Sequence, residues 1–412
     1  MSHRKPSFAV LAALWDKIHF ITVAVSVTAA TAAITANVYA QVQAPAPIRR
    51  SEIVRDLPIT KFYNVPDPFP AGKPGALVRS EEIEQYDIPY SVSAVRILYH
   101  SRSASGEDVA ASGVVLFPFD KKPPAGGWPV IAWAHGSTGV ARRCAPSLMR
   151  NLGHGPFLAM YVNLGYAMVA TDYTGLGTSF RNAFLDGPSN ATDVIASIPA
   201  ARAAVPQLGA RWIVMGKAEG GLTVVAVAEK ENEVRDSDYL GGVAISDIAS
   251  AKEIYEPATA GSSSLMLTSL AYGIKTVYPQ FQVSDMLTEK ALAFYREIGE
   301  TCAQATSPQL PSMATVKPGW ESTGFVRQYF DRNDPGQTHA YGPILVISGH
   351  ADPSRIAAAS QAIGRMCKQG DRVQWERYPD LDPGSVIGES VRDQIGWIEG
   401  RFGGRPAPTN CP

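Results

Sequence analysis

Cysteine and charge are both scarce in this 412-residue chain. It has four cysteines, none in a CxxC or CxxxC pair, which excludes a cysteine-rich scaffold and a zinc ribbon. Only 18% of residues are charged and the net charge is −1, so the composition makes no electrostatic case for nucleic acid. Internal repeats and low-complexity tracts are also missing, which excludes a solenoid. What is present is globular: 45% of residues are hydrophobic, so a mainly disordered chain is excluded as well. A chain this long buries roughly three quarters of its unfolded surface and needs no metal to hold a core.

The first forty residues read as an address. His3, Arg4 and Lys5 precede two apolar stretches, 8–15 and 18–40, the second ending Val38-Tyr39-Ala40 before Gln41. A small residue at the last position and Val two before it fit an export signal cleaved after Ala40. The alternative is a single uncleaved membrane anchor, against which His19, Asn37 and several threonines make 18–40 a mediocre fit to hydrocarbon. Export predicts a secreted or periplasmic protein with no stable membrane span after cleavage. An even number of cysteines then favours two disulfides.

Residues 41–89, rich in proline, read as an irregular lead-in. Alternating runs at 90–100 and 109–119, separated by Ser103-Ala104-Ser105-Gly106, predict an antiparallel strand pair. Short Val- and Ile-rich runs follow at 129–134, 167–171, 212–215, 242–245 and 344–347, as strands buried on both faces tend to be. Helical stretches at 191–205 and 222–230 lie between them. This alternation predicts an α/β protein, a mostly parallel sheet with helices on both faces. Segment 251–340, with a helix-like piece at 284–300, breaks the rhythm and reads as an inserted helical cap. The core is then 90–250 with 341–412.

The most informative segment is Gly216-Lys217-Ala218-Glu219-Gly220-Gly221, where a strand runs into a helix. Glycines at 216 and 220 bracket one residue at the apex of a tight turn, the spacing of a nucleophile elbow. The apex is Ala218, and a methyl group cannot attack an ester. No Gly-x-Ser-x-Gly occurs anywhere else in the chain.

With these residues in view, the chain resembles the secretory lipases of the α/β-hydrolase superfamily over about 90–411. The segment from Ile131 through His135-Gly136-Ser137-Thr138-Gly139 to Ser147 resembles the family's oxyanion loop. Ala170-Thr171-Asp172-Tyr173 resembles its next strand end, and the tail from Trp397 to Cys411 its C-terminus. The resemblance implies an α/β-hydrolase fold, carboxylic ester and lipid hydrolysis, no cofactor or metal, and a triad in the order Ser, Asp, His. The serine falls on Ala218, whose neighbours, commonly His and Gln in relatives, are Lys217 and Glu219. The acid falls on Asp352. The histidine, which follows a Leu-Asp pair, falls on Pro383 after Leu381-Asp382. Two of three triad positions thus lack the required chemistry. Backbone donors of an oxyanion hole fall on Ser137 and Glu219; the other reading of 135–139 is a tight turn. The resemblance also pairs Cys144 with Cys302 and Cys367 with Cys411, whereas spacing alone leaves three connectivities open.

Other residues were weighed as substitutes. His350, two before Asp352, and His135 are candidates to line the same cleft. Lys217 and Glu219 read either as a surface ion pair or, for Lys217, as a desolvated base or amine nucleophile. Asp352 also reads as a helix cap, and Asn190 as a cap rather than a glycosylation acceptor. The expectation is a non-hydrolytic protein binding a small apolar or acyl ligand. The alternatives are a lipase, esterase or lyase using non-standard residues, and an interaction protein using the cap surface. If the export reading holds, N-terminal sequencing of the exported protein returns Gln41 as the first residue.

Overall fold

The computed structural model describes residues 56–246, 264–300, 315–349 and 353–411, with Ile248, Lys252 and Cys302 besides. Residues 1–40, read above as an export signal, lie outside the described residues. Nine strands form one sheet: β1 Leu77–Glu82, β2 Val92–Arg102, β3 Asp108–Pro118, β4 Trp128–Ala134, β5 Ala167–Thr171, β6 Leu208–Lys217, β7 Tyr239–Ile245, β8 Ile344–Ser348 and β9 Val373–Arg377. Their order is β1-β2-β3-β5-β4-β6-β7-β8-β9. Pairing is antiparallel from β1 to β5 and parallel from β5 through β9. The expected hairpin is β2–β3, and the five short apolar runs all lie within parallel strands. The irregular reading of the lead-in fails at 77–82. There β1 pairs along β2 as an edge strand, half-buried and then exposed, so no apolar alternation marks it.

β5 and β8 are buried at every position, which is what helices on both faces of a sheet require. On one face lie α2 (Gly187–Ala204) and α3 (Glu219–Val234), contributing Val194, Ile198, Val224 and Val225. The other face is covered by α1 (Gly155–Asn163) and α9 (Val391–Phe402), which contribute Leu158, Tyr161, Trp397 and Ile398. Asp186, not Asn190, caps α2, its carboxylate accepting from Ser189 N–H. Asn190 is inside the helix and buried, which also removes it as a glycosylation site.

Beyond β7, α4 (Ser264–Val277), α5 (Glu289–Glu297) and α6 (Gly324–Arg332) carry an apolar cluster of their own, with Leu270, Ile274, Phe281, Tyr329 and Phe330. These cap helices dock on the loop before α2. The Tyr329 hydroxyl donates to Phe184 O, and Arg332 Nε meets Asp186 Oδ1 at 2.7 Å. Two disulfides form, Cys144–Cys302 and Cys367–Cys411, the pairing that the resemblance implies. The first joins the loop after β4 to the cap, where Gly139 and Cys302 also bridge. The second joins α7 (Pro353–Lys368) to the tail; between α7 and α9 lies the short α8 (Val386–Glu389). Among the described residues no helix is long and apolar enough to cross a membrane.

A buried carboxylate fixes the loop after β5. Asp193 of α2 accepts from the Ser101 hydroxyl, from Thr174 N–H at 2.7 Å and from the Thr174 hydroxyl at 2.8 Å. Burial outweighs these donors and pushes its pKa up to about 6. The folded chain therefore holds a proton that the unfolded chain, with a pKa near ~3.9, has already released. Stability falls as pH rises from ~4 to ~6, by about 2–3 kcal/mol for this group. Urea unfolding across that range is expected to show the slope, and Asp193→Asn to remove that part of it.

Candidate active site

The site is built where β6 turns into α3. Ala218 sits at the apex with φ 53° and ψ −116°, a left-handed backbone that a residue with a side chain adopts at a cost of ~1–3 kcal/mol. Three features hold it there. Its N–H donates to Ile245 O at the end of β7, 3.0 Å away, and its carbonyl accepts from Gly221 N–H at 2.7 Å. The flanking glycines permit the close passage of strand and helix. A Cβ on Gly220 would stand 1.9 Å from Ala134 O, and one on Gly216 would stand 2.2 Å from Gly220 O. Gly216 and Gly220 are buried, yet Ala218 is exposed, so the apex side chain is open to approach.

Lys217 and Glu219 do not form the surface ion pair considered above, because their side chains leave the turn in different directions. Glu219 is buried. Its Oε2 accepts from the Ser137 hydroxyl at 2.7 Å, and its Oε1 from Leu185 N–H at 3.0 Å and Asn190 Nδ2 at 3.1 Å. Lys217 is half-buried near Asp382 and His154. Burial pushes its ammonium pKa down, and Asp382 opposes that shift. Burial also pushes His154 down to about 4, with Lys217 and His135 adding to the effect, so this imidazole is neutral at pH 7.

The loop after β4 reaches over the apex. A Cβ on Gly136 would come within 3.6 Å of Ala218 Cβ. Next to it, the N–H groups of Ser137 and Glu219 have no hydrogen-bond partner among the described residues. Two free donors beside an elbow apex are the makings of an oxyanion hole. His135 is not in the cleft. Its ring is buried, tilted 31° against the Tyr173 ring with centroids 4.3 Å apart, with Nδ1 2.7 Å from Gly136 O and Nε2 3.1 Å from Asp172 O. Both acceptors are carbonyl oxygens, so each contact is a hydrogen bond only when the ring nitrogen facing it carries a proton.

Pro383 arrives on the loop between β9 and α8. Its carbonyl accepts from the Ser246 hydroxyl at 2.9 Å, and Ser246 directly follows Ile245, the acceptor for Ala218. The turn is held by Asp382, whose Oδ1 accepts from Gly384 N–H at 2.7 Å and Ser385 N–H at 3.2 Å. The Ser385 hydroxyl and these two N–H groups hold the Asp382 carboxyl below its usual pKa. Ala218 and Pro383 therefore share one end of the sheet, two hydrogen bonds apart. Asp352 and His350 lie outside the described residues.

The sequence marks Tyr173 only as part of a strand end and Asn190 only as a cap candidate, and it gives no sign of Ser246 or His154 at the site. Ser246 has φ 82°, and no local pattern marks it. Tyr173 follows Asp172, whose carboxylate accepts from the Ser112 and Ser147 hydroxyls, with burial raising its pKa. The Asp172-Tyr173 pair was legible as part of a strand end, but its hydrogen-bonding role was not. On the other side of Asn190 is a cavity of about 360 Å³, between core and cap, with Thr174, Phe180, Ala183, Thr276 and Val277 among its walls.

The sheet crossing β3-β5-β4-β6, the elbow after β6 and the cap after β7 together define the α/β-hydrolase fold. Solved structures agree. The chain is similar to Candida antarctica lipase A in its closed state, with a TM-score of 0.73 at 16% identity over 86% of this chain and 89% of that one. It is also similar to LipA, the rice cell wall degrading esterase of Xanthomonas oryzae, with a TM-score of 0.68 at 18% identity over 81% of this chain and 100% of that one. No protein-family model matches the sequence, and no curated protein matches it.

The geometry of the elbow rests on Gly220. Gly220→Ala is expected to lower unfolding stability by about 3 kcal/mol in urea melts, because the contact is with backbone that cannot swing away. Gly396→Ala, on the exposed face of α9 with nothing near its Cβ direction, is expected to raise it by ~0.5–1 kcal/mol.

Proposed function

We propose that this is an exported α/β-hydrolase-fold protein that does not hydrolyse esters and instead binds an acyl or other apolar small molecule between core and cap. One observation carries the reading: an elbow with a strained, exposed apex and free N–H donors beside it presents a methyl group where attack requires a nucleophile. The base position fares no better, since Pro383 offers a carbonyl already engaged by Ser246. In serine proteases, loss of the nucleophile or its histidine costs on the order of 10⁶ in turnover. What remains is roughly 10³–10⁴ over water, far below a useful lipase.

Three further observations support binding and export. The cavity of about 360 Å³ is within the size range of small-molecule pockets and has walls from both core and cap; Ala218, Ser137 and Glu219 are not among its lining residues, and Asn190, which donates to Glu219, links it to the elbow. The two disulfides suit an oxidising compartment. LipA and the Candida lipase, the esterase and the lipase of the same fold, act on esters, which makes an acyl compound the natural class of ligand.

Purified protein is expected to show no turnover of p-nitrophenyl butyrate or octanoate above background, yet to give a saturable calorimetric signal with methyl octanoate. Ester turnover by the unaltered protein overturns the reading; if Lys217→Met abolished that turnover, the function would pass to an enzyme using the half-buried lysine. Absence of binding to every acyl compound tried overturns it equally.

A further inference from the structure

We propose that Glu219 sets the class of ligand admitted at the apex: an uncharged acyl compound such as an ester, amide or alcohol is accepted beside Ala218, and a free carboxylate is excluded. This deepens the reading above and rests on the elbow being a ligand site.

The argument begins with where the charge lies. Glu219 is the first residue of α3 and follows the apex directly, so its own N–H and that of Ser137 are the two donors without a partner among the described residues beside the apex. Its side chain turns back under the same loop, and one carboxylate oxygen takes the Ser137 hydroxyl at 2.7 Å. The carboxylate is thus within one short side chain of both donors. All its partners are neutral: the Ser137 hydroxyl, Leu185 N–H and Asn190 Nδ2. No cation pairs with it among the described residues. Lys217, the nearest cation in sequence, answers to Asp382 and acts on His154.

The charge is felt around it. After burial, Glu219 is the largest influence raising the Tyr173 hydroxyl pKa, and it contributes at Tyr329. A helix N-terminus offers roughly half a positive charge, and free N–H groups attract a carbonyl oxygen. A full negative charge held close by, on a buried side chain, outweighs that half charge for an anion. A neutral carbonyl oxygen still gains the two hydrogen bonds, because it brings no net charge to repel.

The same reasoning applies to chemistry. An oxyanion hole works by favouring developing negative charge. With a carboxylate beside it, this one favours a carbonyl that stays a carbonyl. Glu219→Gln is the clean perturbation. The Gln oxygen can still accept from Leu185 and Asn190, and its amide can donate to the Ser137 oxygen, so shape and hydrogen bonding persist while the charge goes.

The test is calorimetry at pH 8 with methyl octanoate and octanoate below their aggregation limits, on the natural protein and on Glu219→Gln. The natural protein is expected to bind methyl octanoate at least ~10-fold tighter than octanoate, and Glu219→Gln to reduce that ratio at least ~10-fold through tighter octanoate binding. An unchanged ratio in the variant, or octanoate bound as tightly as the ester by the natural protein, overturns the inference and leaves the ligand reading standing. If neither compound binds either protein, the ligand reading itself fails. A third probe needs no variant: octylammonium is expected to bind the unaltered protein more tightly than octanoate, and the reverse order overturns the role given to Glu219.

Discussion

The site depends on how closely the first turn of α3 approaches the end of β4. Gly216 stands beside Ala134 in the sheet register and Gly220 meets Ala134 O, so the two elements pass with no room for a side chain. That passage places the loop carrying Ser137 over the apex and brings the Glu219 carboxylate within reach of the Ser137 hydroxyl. It also lets β7 run alongside, where Ile245 O can hold the Ala218 N–H. Moving the helix out by the width of a methyl group would loosen each of these contacts together, because they share one backbone crossing.

The elbow geometry is held with a methyl group at its apex. The apex keeps a left-handed backbone that Ala gains nothing from by itself, and the strain is borne by the two strands and the helix around it. The polar framework behind the site is equally complete. Asp172 collects Ser112 and Ser147, the Tyr173 hydroxyl donates to His135 O, and Asp193 pins the following turn at Thr174. Each buried carboxylate is surrounded by donors, as burial demands. An elbow of this shape can therefore be maintained by packing and hydrogen bonds that owe nothing to a reactive side chain.

The cap meets the core through polar contacts at one loop, through the apolar side chains of Val140, Phe184 and Leu185, and through the Cys144–Cys302 disulfide. Residues 184–186 present Phe184 O to Tyr329, Leu185 N–H to Glu219 and the Asp186 carboxylate to Arg332. Glu219 thus belongs to two structures at once, the elbow by its backbone and the cap-bearing loop by its side chain. Asn190, which also donates to Glu219, lines the cavity between core and cap.

Local patterns in the chain were enough to predict an α/β sheet, its hairpin and five of its parallel strands, and the turn around Ala218. Apolar runs and glycine spacing are backbone requirements that each segment meets by itself. β1 escaped because an edge strand with little burial carries no such pattern, and β9 because its half-buried residues do not form an apolar run. The disulfide partners followed from resemblance, not from spacing. What the amino-acid order alone determined is that alanine stands at the apex of the turn and that no Gly-x-Ser-x-Gly occurs in the chain, since both are statements of residue identity; the assignment of Pro383 to a base position rests on resemblance. Only the tertiary structure decided that Glu219 faces inward to Ser137, Leu185 and Asn190 instead of pairing with Lys217, and that Pro383 meets Ser246. Those partners lie up to 137 residues apart. A polar side chain takes whichever donors the packed elements bring within 3 Å, and that choice is made only when the elements meet.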